Sequence, residues 1–372
     1  MSPRAILHRV PARHPGDAAA VAALFDQGLL HPAEIVAILG KTEGNGCVND
    51  FTRAYAVEAL GHMLAARLGQ SLEQVLARVA MVMSGGTEGG LSPHFLVLAI
   101  RQEAAAPNPQ GALAIGTAFT PEFLPEELGR LPQIHATATA IQAAMAQAGI
   151  TNPADVHYVQ VKCPLLTSDR IAAARARGQT VATEDTYHSM GLSRGASALG
   201  VALALGELPA SALSNAVIGA DWSLHSGRAS CSAGVELTRN EIVVLGNSPD
   251  WAGDLAIAHA VMQDAIDLPA VHQALAAAGL PGTGQLSAAA RENLVAVLAK
   301  AEPATTGRIR GNRHIMLDDS DINATRHARA LVGGVIAAAV GRTDLFVSGG
   351  AEHQGPDGGG PVAIIARRPT PP

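Results

Sequence analysis

Of the 26 Lys and Arg residues only three are lysine, Lys41, Lys162 and Lys300, so solvated basic positions in this chain are filled by arginine. Each lysine is followed by a hydroxyl-Arg pair that opens a small-residue helix: Thr52-Arg53, then Ser193-Arg194, then Thr325-Arg326. Each pair is followed by a Ser-[Gly/Ala]-Gly-x-Glu motif. These read Ser84-Gly85-Gly86-Thr87-Glu88, Ser232-Ala233-Gly234-Val235-Glu236 and Ser348-Gly349-Gly350-Ala351-Glu352. The order Lys, Arg, Ser thus recurs three times. Alone, a Ser-Gly-Gly is ordinarily a turn, and a lone Lys or Arg is ordinarily solvated; it is the triplication that turns them into a candidate site.

A serine hydroxyl becomes a nucleophile when a base lies within hydrogen-bond reach, and a lysine serves once burial or a nearby cation lowers its pKa. Arginine supplies that cation, and its planar fork of donors suits carbonyl or imidate oxygens. Backbone N–H groups of a Ser-Gly turn bind a developing oxyanion, because glycine lets the ligand approach closely. Together these residues form an acyl-transfer set. Three similar units closing around an axis create a pocket suited to a flat ring with three alternating carbonyls.

Other chemistries lack their residues. The 14 histidines contain neither HxH nor HExxH, so metal-dependent amide hydrolysis has no ligand pattern, and His188, His225 and His353 are expected on the surface or in the core. No GxxxxGK[ST] phosphate loop occurs. The loop Ala351 to Gly360 can turn backbone carbonyls inward, which is how Mg²⁺ or Ca²⁺ is held when a carboxylate joins them.

Positioning these residues falls to strand ends and helix starts. Apolar runs at Ile35 to Leu39, Val156 to Val161 and Leu294 to Ala299 predict strands leading into the lysines. Helices are expected over Thr52 to Leu68, Arg194 to Leu205 and Thr325 to Val340. Strands over Val79 to Met83, Ala229 to Leu237 and Leu345 to Val347 bring in the serines. Proline-bearing joints at Ala104 to Gln110 and Gly246 to Gly253 divide the chain into units 1–104, 111–247 and 253–372. The fold class expected is α/β, built as three similar repeats.

The composition is globular, with 48% hydrophobic and 16% charged residues. A net charge of -6 and no Lys/Arg run argue against nucleic acid and for a small-molecule substrate. The three cysteines, Cys47, Cys163 and Cys231, show no CxxC spacing, which points to a reducing cytoplasm. The segment Met1 to Asp17 lacks an apolar core, and charge-free stretches such as Ala330 to Gly341 fall short of the ~18 residues of a membrane span. Neither export nor membrane insertion is expected.

The segments GKTEGNGCVNDFTR (Gly40 to Arg53), MSGGTEGGLSPH (Met83 to His94), SMGLSRGASALG (Ser189 to Gly200) and VSGGAEHQGPDGGGPVA (Val347 to Ala363) closely resemble the cyanuric acid hydrolase/barbiturase family over essentially the whole chain. The resemblance implies three α/β units around a pseudo-threefold axis, a Ser–Lys dyad without catalytic metal, and a homotetramer. It implies hydrolytic opening of cyanuric acid to carboxybiuret, which decays to biuret and CO₂; barbiturase, giving ureidomalonate, is the alternative within the family. A non-catalytic binder of planar rings is the alternative outside it. Substrate contacts carried over by motif are Arg53, Ser84 and Gly85, then Arg194, Ser232 and Ala233, then Arg326, Ser348 and Gly349, with Lys41 and Lys300 in support. A structural Mg²⁺ or Ca²⁺ would be held by Glu302 with backbone at Ala351, Gln354, Gly355, Pro356 and Gly359. Ala233 departs from the glycine of the other two motifs, and its methyl is expected near the oxyanion position.

The units are also expected to be unequal. Lys41 and Lys300 are followed two positions later by Glu43 and Glu302, whereas Lys162 is followed by Cys163-Pro164. A nearby carboxylate favours the ammonium form, so Lys162 is the lysine expected to be neutral, paired with Ser232. The family resemblance points to the same unit. Ser230 is the local competitor, outside the motif register.

Overall fold

A computed structural model of the chain describes residues 1–368; the last four positions of the expected third unit lie outside the described residues. Its elements run β1 Ser2–Pro11, α1 Ala19–Asp26, β2 Ile35–Thr42, α2 Thr52–Leu68, α3 Leu72–Leu76, β3 Ala80–Gly85 and β4 His94–Glu103. They continue with β5 Ala112–Phe119, α4 Leu131–Gln147, β6 Val156–Pro164, α5 Ser168–Ala176, α6 Thr186–Ala204, β7 Ala229–Gly234 and β8 Glu241–Ser248. The last group is β9 Leu255–Met262, α7 Leu268–Ala277, α8 Ala288–Asn293, β10 Leu294–Ala301, β11 Arg308–Ile309, β12 Asn312–Arg313, α9 Ala324–Val340, β13 Phe346–Gly349 and β14 Gly360–Arg367.

The strands form three four-stranded sheets of one topology: β1-β4-β2-β3, β5-β8-β6-β7 and β9-β14-β10-β13. In each, the second and third strands pair in parallel across a helical crossover, and the fourth returns antiparallel between the first and second. Even the irregularities repeat. A register shift opens the second strand of every sheet, at Ile35/Ala37, Val156/Tyr158 and Leu294/Ala296. The fold is α/β, three similar units packed about a common axis.

Strand periodicity decides which face meets that axis, because alternate side chains point to opposite faces. Leu39, Val82, Leu298 and Phe346 join one apolar cluster built from all three sheets, while Ile38 and Met83 turn outward to the helix-covered core of the first sheet. Two residues beyond the inward four come Lys41, Ser84, Lys300 and Ser348, so the same alternation carries the polar groups to the axis. The helices cover the outer faces. In α2, Ala56, Leu60 and Leu64 form its buried stripe, and full burial of such leucines contributes roughly 1.5–3 kcal/mol each. Gly69 and Gly341 end α2 and α9 in the left-handed region, at φ 65° and 70°.

Two expected boundaries move. Helix α6 starts at Thr186, with the Asp185 carboxylate accepting from His188 N–H, so Ser193-Arg194 sits mid-helix instead of opening it. Gly191 and Gly195 depress helix propensity there and mask the earlier start. The strand expected to reach Leu237 ends at Gly234. Among the described residues no helix is long and apolar enough to cross a membrane.

Candidate active site

Lys41 and Ser84 are register partners on β2 and β3, Lys162 and Ser232 on β6 and β7, Lys300 and Ser348 on β10 and β13. Partners on neighbouring strands project to the same face, so all six side chains reach the axis. A small cavity there is lined by Arg53, Ser84, Gly85, Lys162, Ser232, Ala233, Arg329, Ser348 and Gly349, with Gly46 and Met83. The three serines touch in a chain: Ser84 Oγ donates to Ser348 Oγ at 3.3 Å, and Ser232 Oγ lies 2.8 Å from Ser348 Oγ.

The lysines are buried, and their contacts differ. Lys41 Nζ donates to Ser84 Oγ at 3.2 Å. Lys300 Nζ donates to Ser348 Oγ at 3.1 Å, to the Cys231 carbonyl at 2.9 Å and to the Gly349 carbonyl at 3.0 Å. Lys162 Nζ donates to the Met83 carbonyl at 2.6 Å and forms an ion pair with Glu236 Oε1 at 2.8 Å. Burial lowers all three pKa values. For Lys41 the shift is large, with Arg329 adding to it; Lys300 falls to about 7, helped by Arg194. For Lys162, Glu236 opposes the burial effect. The sequence-based reason for choosing Lys162 is therefore corrected. Its carboxylate comes from its own Ser-x-Gly-x-Glu motif, folded back across β7, whereas Glu43 is exposed and forms no ion pair with Lys41.

The motif glutamates, given no role from sequence, close a ring between units. Arg194 grips Glu352 through two bonds of 2.7 and 2.6 Å, and Arg329 grips Glu88 through two of 2.6 Å. Arg53 faces Glu236 at 3.7 Å. Each arginine thus meets the glutamate of the next unit. For Arg194, Glu88, Glu236 and Glu352 burial works against the charge, yet the partners win: Arg194 stays above its ordinary pKa, and the three glutamates lie below theirs.

Arg329, and not Arg326, is the third arginine of that ring. The Arg326 side chain is 41% exposed with Nε 3.4 Å from Glu88, while Arg329 is 3% exposed and lines the cavity. The reason lies in helix phase. Ala328, Arg329, Val332, Gly333 and Ile336 form the buried stripe of α9, and Arg326 falls off it. That spacing was the signal available in the sequence for Arg329; the preceding threonine points to Arg326, which the structure places off the cavity lining. Of the other expected contacts, Arg53, Ser84, Gly85, Ser232, Ala233, Ser348 and Gly349 meet at the cavity, while Arg194 stands behind it on Glu352.

Ala233 has a steric explanation. A Cβ on Gly85 would overlap the Asp50 carboxylate, and one on Gly349 would overlap Thr325 and Arg329. Asp50 stands three residues before Arg53; the same offset before Arg194 is Gly191. The second unit thereby has room for the methyl.

Both Glu302 oxygens are engaged, one by Thr325 Oγ1 at 3.0 Å and one by Gly350 N–H at 2.7 Å. Burial and the neighbouring Glu352 raise its pKa to about 7. Carbonyls of Ala351 and Pro356 close turns to Gln354 and Gly359, leaving each one lone pair. Carboxyl and carbonyl oxygens are the donor types that a hard cation takes. His353 is a core residue: its Nδ1 bonds to the Leu224 carbonyl, and its Nε2 accepts from Gly219 N–H.

A sequence model of the family described as amidohydrolase ring-opening protein matches residues 6–367. A cyanuric acid amidohydrolase of Azorhizobium caulinodans is 58% identical over 366 residues, covering 98% of this chain and 99% of that one. A solved cyanuric acid hydrolase, described as an evolutionary innovation by structural concatenation, superposes with a TM-score of 0.95 at 50% identity, covering 99% of this chain and 100% of that one. The crystal structure of the A. caulinodans cyanuric acid hydrolase gives 0.90 at 56% identity, with the same coverage.

Proposed function

Because the chain belongs to the ring-opening amidohydrolase family, we propose that it hydrolyses one ring amide of cyanuric acid, releasing carboxybiuret, which loses CO₂ to give biuret. One observation carries this reading: three Lys–Ser register pairs bring Ser84, Ser232 and Ser348 onto a single small cavity, with Lys162, Arg53, Arg329 and the Ser-[Gly/Ala] turns of all three units around it. A ring with three alternating carbonyls matches that repetition. The test is turnover by the purified protein of cyanuric acid beside barbiturate, with biuret and CO₂ measured. Cyanurate opening is expected; opening of barbiturate alone, or tight binding without opening, would overturn it.

In the proposed mechanism Ser232 attacks a ring carbonyl and Lys162 takes its proton. The C–N bond breaks as that proton passes to the ring nitrogen, and water then releases the acyl group by the same route. Ser232 is favoured because, among the described residues, Lys162 is the lysine that lines the cavity beside its serine and the one with a carboxylate at its Nζ. A second reading, Ser348 with Lys300, has its own support in their 3.1 Å bond and in a Lys300 pKa near 7. Backbone N–H groups at Ala233 or the glycines of the other turns would hold the oxyanion, and Arg53 and Arg329 the remaining carbonyls.

Glu302 and the carbonyls of Ala351, Gln354, Gly355, Pro356 and Gly359 would hold Mg²⁺ or Ca²⁺. When bound, the cation neutralises the Glu302–Glu352 pair and braces the loop behind Ser348. A homotetramer in the cytoplasm completes the proposal, with sedimentation as the check on assembly.

A further inference from the structure

The three motif glutamates occupy equivalent places and do different things. Glu88 and Glu352 are each consumed by two short bonds to an arginine. Glu236 is not: Arg53 Nε stands 3.7 Å away without hydrogen-bond alignment, and Arg53 spends a donor on the Cys47 carbonyl at 2.9 Å. The freed carboxylate lies 2.8 Å from Lys162 Nζ. Among the described residues, Lys41 and Lys300 have no carboxylate within ion-pair distance. The second unit alone therefore sets a carboxylate against its lysine, and that lysine shares the cavity with Ser232 as its register partner while Nζ bonds to the Met83 carbonyl.

We propose that Glu236 completes a Ser232–Lys162–Glu236 triad, as a positioning residue that aims Nζ and as the counter-charge for the ammonium formed during attack. This rests on the reading of Ser232 as nucleophile. The reactive form is the pair short of one proton, an amine beside a carboxylate. As Oγ bonds to the ring carbonyl carbon, its proton passes to Nζ, and the new ammonium faces Glu236, both side chains being buried. That proton then leaves with the ring nitrogen as the C–N bond breaks, restoring the amine. A fixed carboxylate behind a base acts by orientation and charge, without itself taking the proton.

Every charged group facing Glu236 bears on the pH dependence. Lys162 on β6, Arg53 on α2 and Arg170 on α5 hold the carboxylate ionised; Arg170 also donates to the flanking Leu237 carbonyl at 2.8 Å. Glu241 on β8, the register partner of Lys162, is a second carboxyl group near Glu236; burial above all, and Glu236 with it, push its pKa up to about 7. Replacing Glu236 by glutamine removes the charge that favours the Lys162 ammonium, so Lys162 loses its proton at lower pH.

The experiment is a pH–rate profile of Glu236→Gln beside wild type, Glu236→Asp and Glu88→Gln, with circular dichroism for folding and mass spectrometry of the trapped acyl adduct. For Glu236→Gln, kcat should fall by at least ~10²-fold while KM changes little, and the acid limb should move to lower pH. Glu236→Asp should regain part of kcat, and Glu88→Gln should leave the limb's position alone. An unmoved limb with an adduct still on Ser232, or an unchanged kcat, would overturn the triad. An adduct on another serine would overturn the underlying reading instead. If Glu236→Gln does not fold, Glu236→Asp carries the test: it draws the charge back, and the limb must still shift downward.

Discussion

The contact between the first and second units is built differently from the other two. Where Arg194 meets Glu352 and Arg329 meets Glu88, paired bonds of 2.6–2.7 Å close the seam. Where Arg53 meets Glu236 the seam stands open at 3.7 Å, and the carboxylate has gone to Lys162. All three seams are encoded by the same motif. Repeating a sequence repeats a backbone, but each side chain answers to its neighbour from the next unit, and those neighbours differ: Arg53 has Asp50 at 3.9 Å and the Cys47 carbonyl to turn to. The closed seams hold the ring together. The open one supplies a polarised lysine.

The largest effect expected from this difference is on turnover. Ser232→Ala and Lys162→Ala should each reduce kcat by ~10²–10⁴-fold, the span for losing a nucleophile's partner or its general base. A comparable loss confined to Ser348→Ala and Lys300→Ala would move the chemistry to the third unit. Stability comes next. Glu88→Gln leaves the buried Arg329 without its carboxylate, and breaking such a pair costs about 3–5 kcal/mol, while Glu236→Gln breaks no bidentate seam and should cost less. Denaturant midpoints compare the two; equal losses would mean that the open seam is as structural as the closed ones.

Smaller still is the contrast between two arginines one helical turn apart. Arg329→Ala removes a charged donor from the cavity, worth roughly 1.5–3 kcal/mol per charged hydrogen bond, and should raise KM or lower kcat accordingly. Arg326→Ala, 41% exposed in the wild type, should stay near wild-type kinetics. The reverse order would restore Arg326 to the site. Chelation is expected to act least on catalysis: activity should persist while thermal stability declines if the last loop holds a cation. Immediate loss of activity reversed by metal, with the fold intact, would place the cation in the chemistry.

How much of this the sequence discloses follows from which interactions are local. The lysines were legible because the chain holds only three, and their strands because alternation two residues at a time carries Leu39 to Lys41 and Leu298 to Lys300. The serines followed from the repeated glycine turn. Arg329 was hidden because Thr325-Arg326 matches the local pattern of Thr52-Arg53, and only helix phase, set by where α9 packs, separates them. The partners of Glu88, Glu236 and Glu352 were not legible at all. Glu88 and Glu352 are taken across a unit boundary, Glu88 by Arg329 241 positions away, while Glu236 is taken by Lys162 of its own unit, and nothing in the local spacing says which arginine closes and which lysine intervenes.

The central claim is that three equivalent-looking units leave one of them to do the covalent step. Trapping the acyl-enzyme with cyanuric acid or a slow analogue, then digesting and mapping the modified peptide by mass spectrometry, reads that step directly. The account predicts a single adduct on Ser232, absent from Ser232→Ala; an adduct on Ser84 or Ser348, or one spread over all three serines, would contradict it.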